Sequence, residues 1–69
     1  MGKSSLSNKI REFRARDDMT QEDLAKRAGV TRQTIISIEK GEYVPSLLLG
    51  MNLAGTFRVS VEELFSITN

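Results

Sequence analysis

The chain contains no cysteine and no histidine. Without cysteine it can form neither a disulfide nor a thiolate metal site. Without histidine it lacks the usual general base and the usual nitrogen ligand for zinc. No apolar run approaches the roughly 20 residues that cross a bilayer. Nothing at the start has the form of a secretory leader, so a cytoplasmic place is the expectation. The length of 69 residues allows one small domain with a limited core, and such a domain gains from pairing with a second copy. There is little room for a closed substrate pocket, and no carboxylate pair stands beside an obvious one. No enzymatic activity, cofactor or metal is expected. A strong charge of either sign is also missing, since the net charge is +1. The charges are unevenly placed, however. Residues 1–41 carry nine Lys or Arg against six Asp or Glu, whereas residues 42–69 carry Arg58 against Glu42, Glu62 and Glu63. A positive end and a negative end suit a protein that turns one side to a polyanion.

Residues 21–40 are the most informative stretch. Gln21, Leu24, Ala25, Gly29, Val30, Ile35 and Ile38 are spaced as two short helices joined by a tight turn. Ala25 falls midway along the first of these helices, where the second must cross and a larger side chain would hold the backbones apart. Gly29 falls where the first helix stops, a position that favours a left-handed backbone. Ile35 and Ile38 share one helical face. The opposite face begins Thr31-Arg32-Gln33-Thr34, and forked guanidinium and amide groups near a helix start suit the DNA major groove. A plain helical hairpin in a small bundle explains the glycine and the stripe but not the polar set Gln21, Arg32, Gln33 and Ser37.

Helix starts share one pattern. Thr20 is placed to cap a helix with Asp23 answering it, and Met19 and Leu24 occupy the flanking staple positions. The pattern returns at Val30-Thr31 with Ile35, and at Val59-Ser60 with Glu63 and Leu64. Pro45 restricts Val44 and ends helical continuation, and Ser46 then caps a helix over about 47–57. A first helix is expected over about 7–17, with Leu6, Ile10 and Phe13 as core candidates, and a last one over about 61–67. Residues 1–5 read as a flexible segment and residues 6–69 as the folded domain. Five short helices with short turns make an all-α domain.

These residues resemble the Cro/lambda-repressor helix-turn-helix family, also called the xenobiotic-response-element type. The resemblance rests on MTQEDLAKRAGVTRQTI (19–35), IEKG (38–41) and PSL (45–47), and covers about residues 6–67. It implies a five-helix lambda-repressor-like domain, with the helix-turn-helix at helices 2 and 3 and helix 3 reading the major groove. It also implies a homodimer on a palindromic operator in double-stranded DNA. With no sensor domain in this sequence, the resemblance is to the stand-alone members, and a small transcriptional repressor of the nucleoid is the expected role. By position, Arg32, Gln33 and Ser37 match base readers, and Gln21, Thr34 and Lys40 match contacts to the DNA backbone. For Gln21 the residues agree, because the start of a helix attracts anions. Arg14 and Glu39 match a structural ion pair between helices 1 and 3.

Three apolar residues depart from that pattern: Ile36, Leu48 and Met51. Ile36 is a candidate for contact with a thymine methyl, or a partly covered hydrophobe near helix 2. Leu48 and Met51 share a face of helix 4, while Leu47, Leu49, Leu53, Ala54 and Phe57 suffice for its core side. An exposed apolar patch often marks an interface. The patch either extends a dimer surface built from Val61, Phe65 and Ile67, or binds a second protein, as in an antitoxin or coactivator of the same fold. Gly50 and Gly55 are candidates for close helix approach. No small-molecule effector is evident.

Overall fold

The computed structural model describes residues 4–68, and among these it contains five helices. They are α1 (Ile10–Arg16), α2 (Gln21–Ala28), α3 (Arg32–Glu39), α4 (Leu47–Phe57) and α5 (Val61–Leu64). Four of them begin at a hydroxyl. Thr20, Thr31, Ser46 and Ser60 each accept the N–H three residues on, which satisfies one of the donors a helix start leaves open. At Thr20 and Ser60 the bond is returned: Asp23 accepts the Thr20 N–H at 3.1 Å and Glu63 accepts the Ser60 N–H at 2.9 Å. Thr31 has Thr34 at the answering position, so its box is half made.

Those backbone N–H bonds, reinforced by the Thr20 and Ser60 hydroxyls, hold the carboxyls of Asp23 and Glu63 below their ordinary values of 3.8 and 4.5. A carboxyl whose folded value is depressed contributes stability that is present above its ordinary value and lost as pH falls through the folded one. Thermal melts should therefore stay level at neutral pH and decline from about pH 4.5 downward. Asp23→Asn and Glu63→Gln, which remove the titrating carboxyls, should flatten that decline. An acid limb unchanged in both variants would show that other groups carry it.

The turn between α2 and α3 follows from Gly29. Its φ of +72° is left-handed, and the Val30 N–H closes on the Ala25 carbonyl at 3.0 Å. A Cβ there would meet nothing within 4 Å, so the demand is for backbone freedom and not for space. Ala25 lies buried where α2 packs on α3, and α2 also packs on α4. The core gathers Ile10, Met19, Leu24, Ile35, Ile38, Leu53, Phe57 and Leu64 between the helices. Phe13 stacks on Phe57 with ring centroids 5.7 Å apart. The Arg16 guanidinium covers Phe13 and donates to the Phe57 carbonyl at 2.6 Å.

The all-α expectation needs correction at both ends of the chain. Ser5–Asn8 forms a strand, β1, and Phe65–Thr68 forms another, β2; they pair antiparallel with Ser5 opposite Thr68 and Asn8 opposite Phe65. The first helix thus starts at Ile10 and not near 7, and the last ends at Leu64 and not near 67. Phe65–Thr68 alternates apolar and polar residues, and Ser5–Asn8 alternates exposed and half-buried ones, the period of a strand. One face is a ladder of hydroxyls: Ser5 with Thr68 at 2.6 Å and Ser7 with Ser66 at 2.7 Å. The other carries Leu6 and Phe65 toward the core. The boundary expected after residue 5 falls inside β1, and residues 1–3 of the expected flexible segment lie outside the described residues.

Phe65 is the second correction. Expected on a partner-facing surface, it is 8% exposed, and its ring lies over Gly50 of α4. Pairing with β1 turns it inward, opposite Asn8. Leu47 is the third. Expected in the core, it is 74% exposed, because the inward stripe of α4 runs through Gly50, Leu53, Ala54 and Phe57 and Leu47 stands one turn ahead of it. Close approach does not require either glycine of α4. A Cβ at Gly50 would make ordinary contact with Phe65 at 3.7 Å, and one at Gly55 would meet nothing within 4 Å. No helix among the described residues is long and apolar enough to cross a membrane.

Candidate nucleic-acid interface

The start of α3 stands clear of the protein. Arg32 and Gln33, its first two residues, are exposed, while Ile35 and Ile38 on the opposite side are buried. The helix projects because its cap is outside the core: Thr31 accepts the Thr34 N–H, and the two threonine hydroxyls meet at 3.0 Å. One turn beyond Gln33 lies half-buried Ser37, and the Gln33 Nε2 reaches its Oγ at 3.4 Å. The three expected base readers therefore all lie on α3, Gln33 and Ser37 one turn apart on one side and Arg32 at the other edge of the exposed first turn. Ile36 is half-buried, and Lys40 caps the far end of α3, exposed. Thr34 is half-buried, with its hydroxyl engaged by Thr31.

A groove flanks α3 on each side. One is lined by Thr31, Gln33, Thr34, Ser37, Glu42 and Tyr43. Tyr43 is exposed at this rim. The other runs between the start of α2 and the start of α3, lined by residues that include Arg14, Thr20, Gln21 and Arg32. Of the first N–H groups of α2, that of Asp23 is taken by the Thr20 hydroxyl, and those of Gln21 and Glu22 have no acceptor within the helix.

Behind this surface lies an ion pair. The Arg14 Nε donates to the Glu39 Oε2 at 2.7 Å and its Nη2 to Oε1 at 3.3 Å; Nη1 donates to the Met19 carbonyl at 3.1 Å. The Glu39 side chain is 3% exposed and that of Arg14 15%. Gln21 completes the set, its Nε2 donating to Glu39 Oε1 at 3.1 Å. One carboxylate thus ties α1, α2 and α3 together, and no buried side-chain nitrogen or oxygen among the described residues lacks a partner. Sequence reasoning anticipated Gln21 only as a phosphate contact. Its second bond, to a residue 18 positions away, has no local signal.

The expected partner surface is divided. Leu48, Met51 and Ile67 are exposed, Val61 is half-buried, and Phe65 belongs to the core. Val44 and Leu47 add to the exposed apolar residues around the start of α4.

Two short helices set across each other by a left-handed glycine, the second showing forked side chains at its free start, define a helix-turn-helix DNA-binding domain. The chain belongs to the helix-turn-helix family HTH_3 of transcriptional regulators, whose pattern matches residues 10–64. It is 53% identical over 60 residues to an HTH-type transcriptional regulator of Methanocaldococcus jannaschii, an alignment spanning 87% of this chain and 91% of the relative. It is 38% identical over 61 residues to the cryptic phage CTXphi transcriptional repressor RstR of Vibrio cholerae, spanning 88% of this chain but 55% of RstR. Among solved structures it is similar to the restriction-modification controller protein C.AhdI of Aeromonas hydrophila. That match has a TM-score of 0.73 and 30% identity, over 78% of this chain and 82% of the other.

Proposed function

We propose that the protein is a sequence-specific repressor that binds a palindromic operator as a homodimer, with α3 of each copy in the major groove. The observation that carries this reading is the exposed first turn of α3, where Arg32 and Gln33 stand beside Ser37 on a helix braced from behind by Arg14 and Glu39. Arg32 is suited to grip guanine with two bonds and Gln33 to grip adenine. Ser37 is short and reads through water or a single bond. Ile36 offers its uncovered part to a thymine methyl.

Backbone phosphates fall to the start of α2 and to the ends of α3. The Nε2 of Gln21 has two hydrogens; one goes to Glu39, which leaves the other for a phosphate oxygen. Thr34 and Lys40 serve the same strand, and exposed Tyr43 lines the groove beside Thr34. The exposed set Leu47, Leu48, Met51 and Ile67, with Val61, supports pairing of two copies through α4 and the ribbon. Two half-sites would then be centred about one DNA turn apart, roughly 34 Å. The 38% identical relative named as a repressor supports the direction of regulation. The same apolar patch also favours a second reading, in which a different protein covers it. The mass of the purified protein in solution separates the two.

Enrichment of random duplexes tests the reading. The parent should yield one palindromic consensus. Arg32→Ala should relax that consensus at one position in each half-site and weaken binding by about 1–3 kcal/mol. An unchanged consensus would remove Arg32 from the base readers. No enriched duplex from the parent would remove the DNA reading as a whole.

A further inference from the structure

Asn8 closes β1 at the point where the chain turns into α1. Its Nδ2 donates to the Ile38 carbonyl at 3.0 Å, and its Oδ1 accepts the Ile10 N–H at 3.1 Å. The two bonds leave one orientation for the amide, since a flip would set N–H against N–H and oxygen against oxygen. Each bond meets a local need. Lys9 stands at the cap position of α1 without a side-chain acceptor, so the preceding residue supplies one. The Ile38 carbonyl lies in the last turn of α3, where intrahelical donors run out, and it takes the Gly41 N–H at 3.0 Å as well.

The end of α3 is therefore tied at adjacent residues from two directions. Asn8 holds the backbone at Ile38, and Arg14 with Gln21 holds the side chain of Glu39. The other end, with Arg32 and Gln33, is exposed. Burial of Ile35 and Ile38 sets how deep the helix sits, but apolar packing is non-directional and sets its tilt poorly. Eight residues of helix span about 12 Å. From Ile38 back to Arg32 is about 9 Å, so a tilt of roughly 6–7° at Ile38 would swing the first turn by about 1 Å, twice the tolerance of about 0.5 Å for a binding constellation.

We infer that Asn8 is a positioning residue for base reading, holding α3 at the angle that presents Arg32 and Gln33 together. The inference rests on the DNA reading above. It also gives the terminal ribbon a role, because Asn8 is held in place as the register partner of Phe65.

Asn8→Asp breaks the tie and sets an oxygen against the Ile38 carbonyl. It keeps the acceptor for Ile10 and adds a charge that suits a helix start. Asn8→Ser is a second variant, with a hydroxyl that keeps the cap and is too short to reach Ile38. Residual dipolar couplings of the free proteins report the direction of each helix. In both variants the amides of α3 should change as a group while those of α1, α2 and α4 stay. On the duplex enriched by the parent, affinity should fall roughly tenfold, the size of one lost hydrogen bond. The salt slope should not change, because the phosphate contacts are the same in number. Unmoved α3 couplings, or parental affinity in both variants while the parent binds, would overturn the inference alone. A parent that enriches no duplex would overturn the DNA reading and this inference with it.

Discussion

Arg14→Ala should destabilise the domain by about 3–5 kcal/mol, most of what a domain of this size has. The reason lies in which partner is left behind. The Glu39 side chain is 3% exposed and accepts three bonds, two from Arg14 and one from Gln21. Without the guanidinium, a carboxylate remains in the interior with one neutral amide facing it. The Met19 carbonyl also loses the Nη1 donor at the entrance to α2. Glu39→Ala should cost less, since Arg14 is 15% exposed and can turn its guanidinium toward water. Replacing both, as Arg14→Met with Glu39→Leu, should recover most of the loss, because the desolvation of two charges is removed along with their attraction. Chemical denaturation of the three variants measures this. Equal losses from Arg14→Ala and from the double variant would show that the pair itself supplies the stability. DNA affinity separates fold from presentation: the double variant should fold and still bind weakly, because its α3 lacks the tie at Glu39.

Leu48→Glu should leave the fold of one copy intact and weaken operator binding by about 10²–10⁴-fold, the gain that a second linked half-site provides. Leu48 is 70% exposed, so the substitution disturbs no internal packing. On the proposed homodimer the two-fold axis presents each changed residue twice, and two carboxylates are then taken from water against apolar neighbours. Sedimentation should show the variant at the 7.7 kDa of one chain and the parent at twice that mass. Met51→Glu, one turn along the same face, should act in the same direction. A variant that remains dimeric would move the interface elsewhere. A monomeric parent would favour the reading in which another protein covers the patch.

Much of the fold was legible because its determinants lie within a few residues of one another. Thr20 with Asp23 and Ser60 with Glu63 are each completed inside one turn, so the pattern of residue types states the bond. Gly29 at φ +72° likewise answers to its own backbone. Gln33 and Ser37 could be set on one helix side from their spacing alone, with Arg32 beside them at the helix start. The misplaced residues depend on distant parts of the chain. Ser5–Asn8 taken alone has too few residues to declare itself a strand, and only Phe65–Thr68, about 60 positions away, gives its N–H and carbonyl groups a reason to extend. Phe65 read as interface because an amphipathic end has two outcomes, and the ribbon chose the inner one. Leu47 read as core because its helix period is right, but the stripe begins a turn later.

The same division holds for the candidate site. Residue types and their intervals sufficed for the helix-turn-helix, its polar outer side and the pairing of Arg14 with Glu39 implied by the resemblance. The angle of α3, the second bond of Gln21 and the reach of Asn8 to Ile38 came only with the folded chain. Short-range bonds are enforced by chain connectivity, so composition and order are enough to state them. A bond across 30 residues exists only after packing has brought both ends together, and no local pattern encodes that meeting.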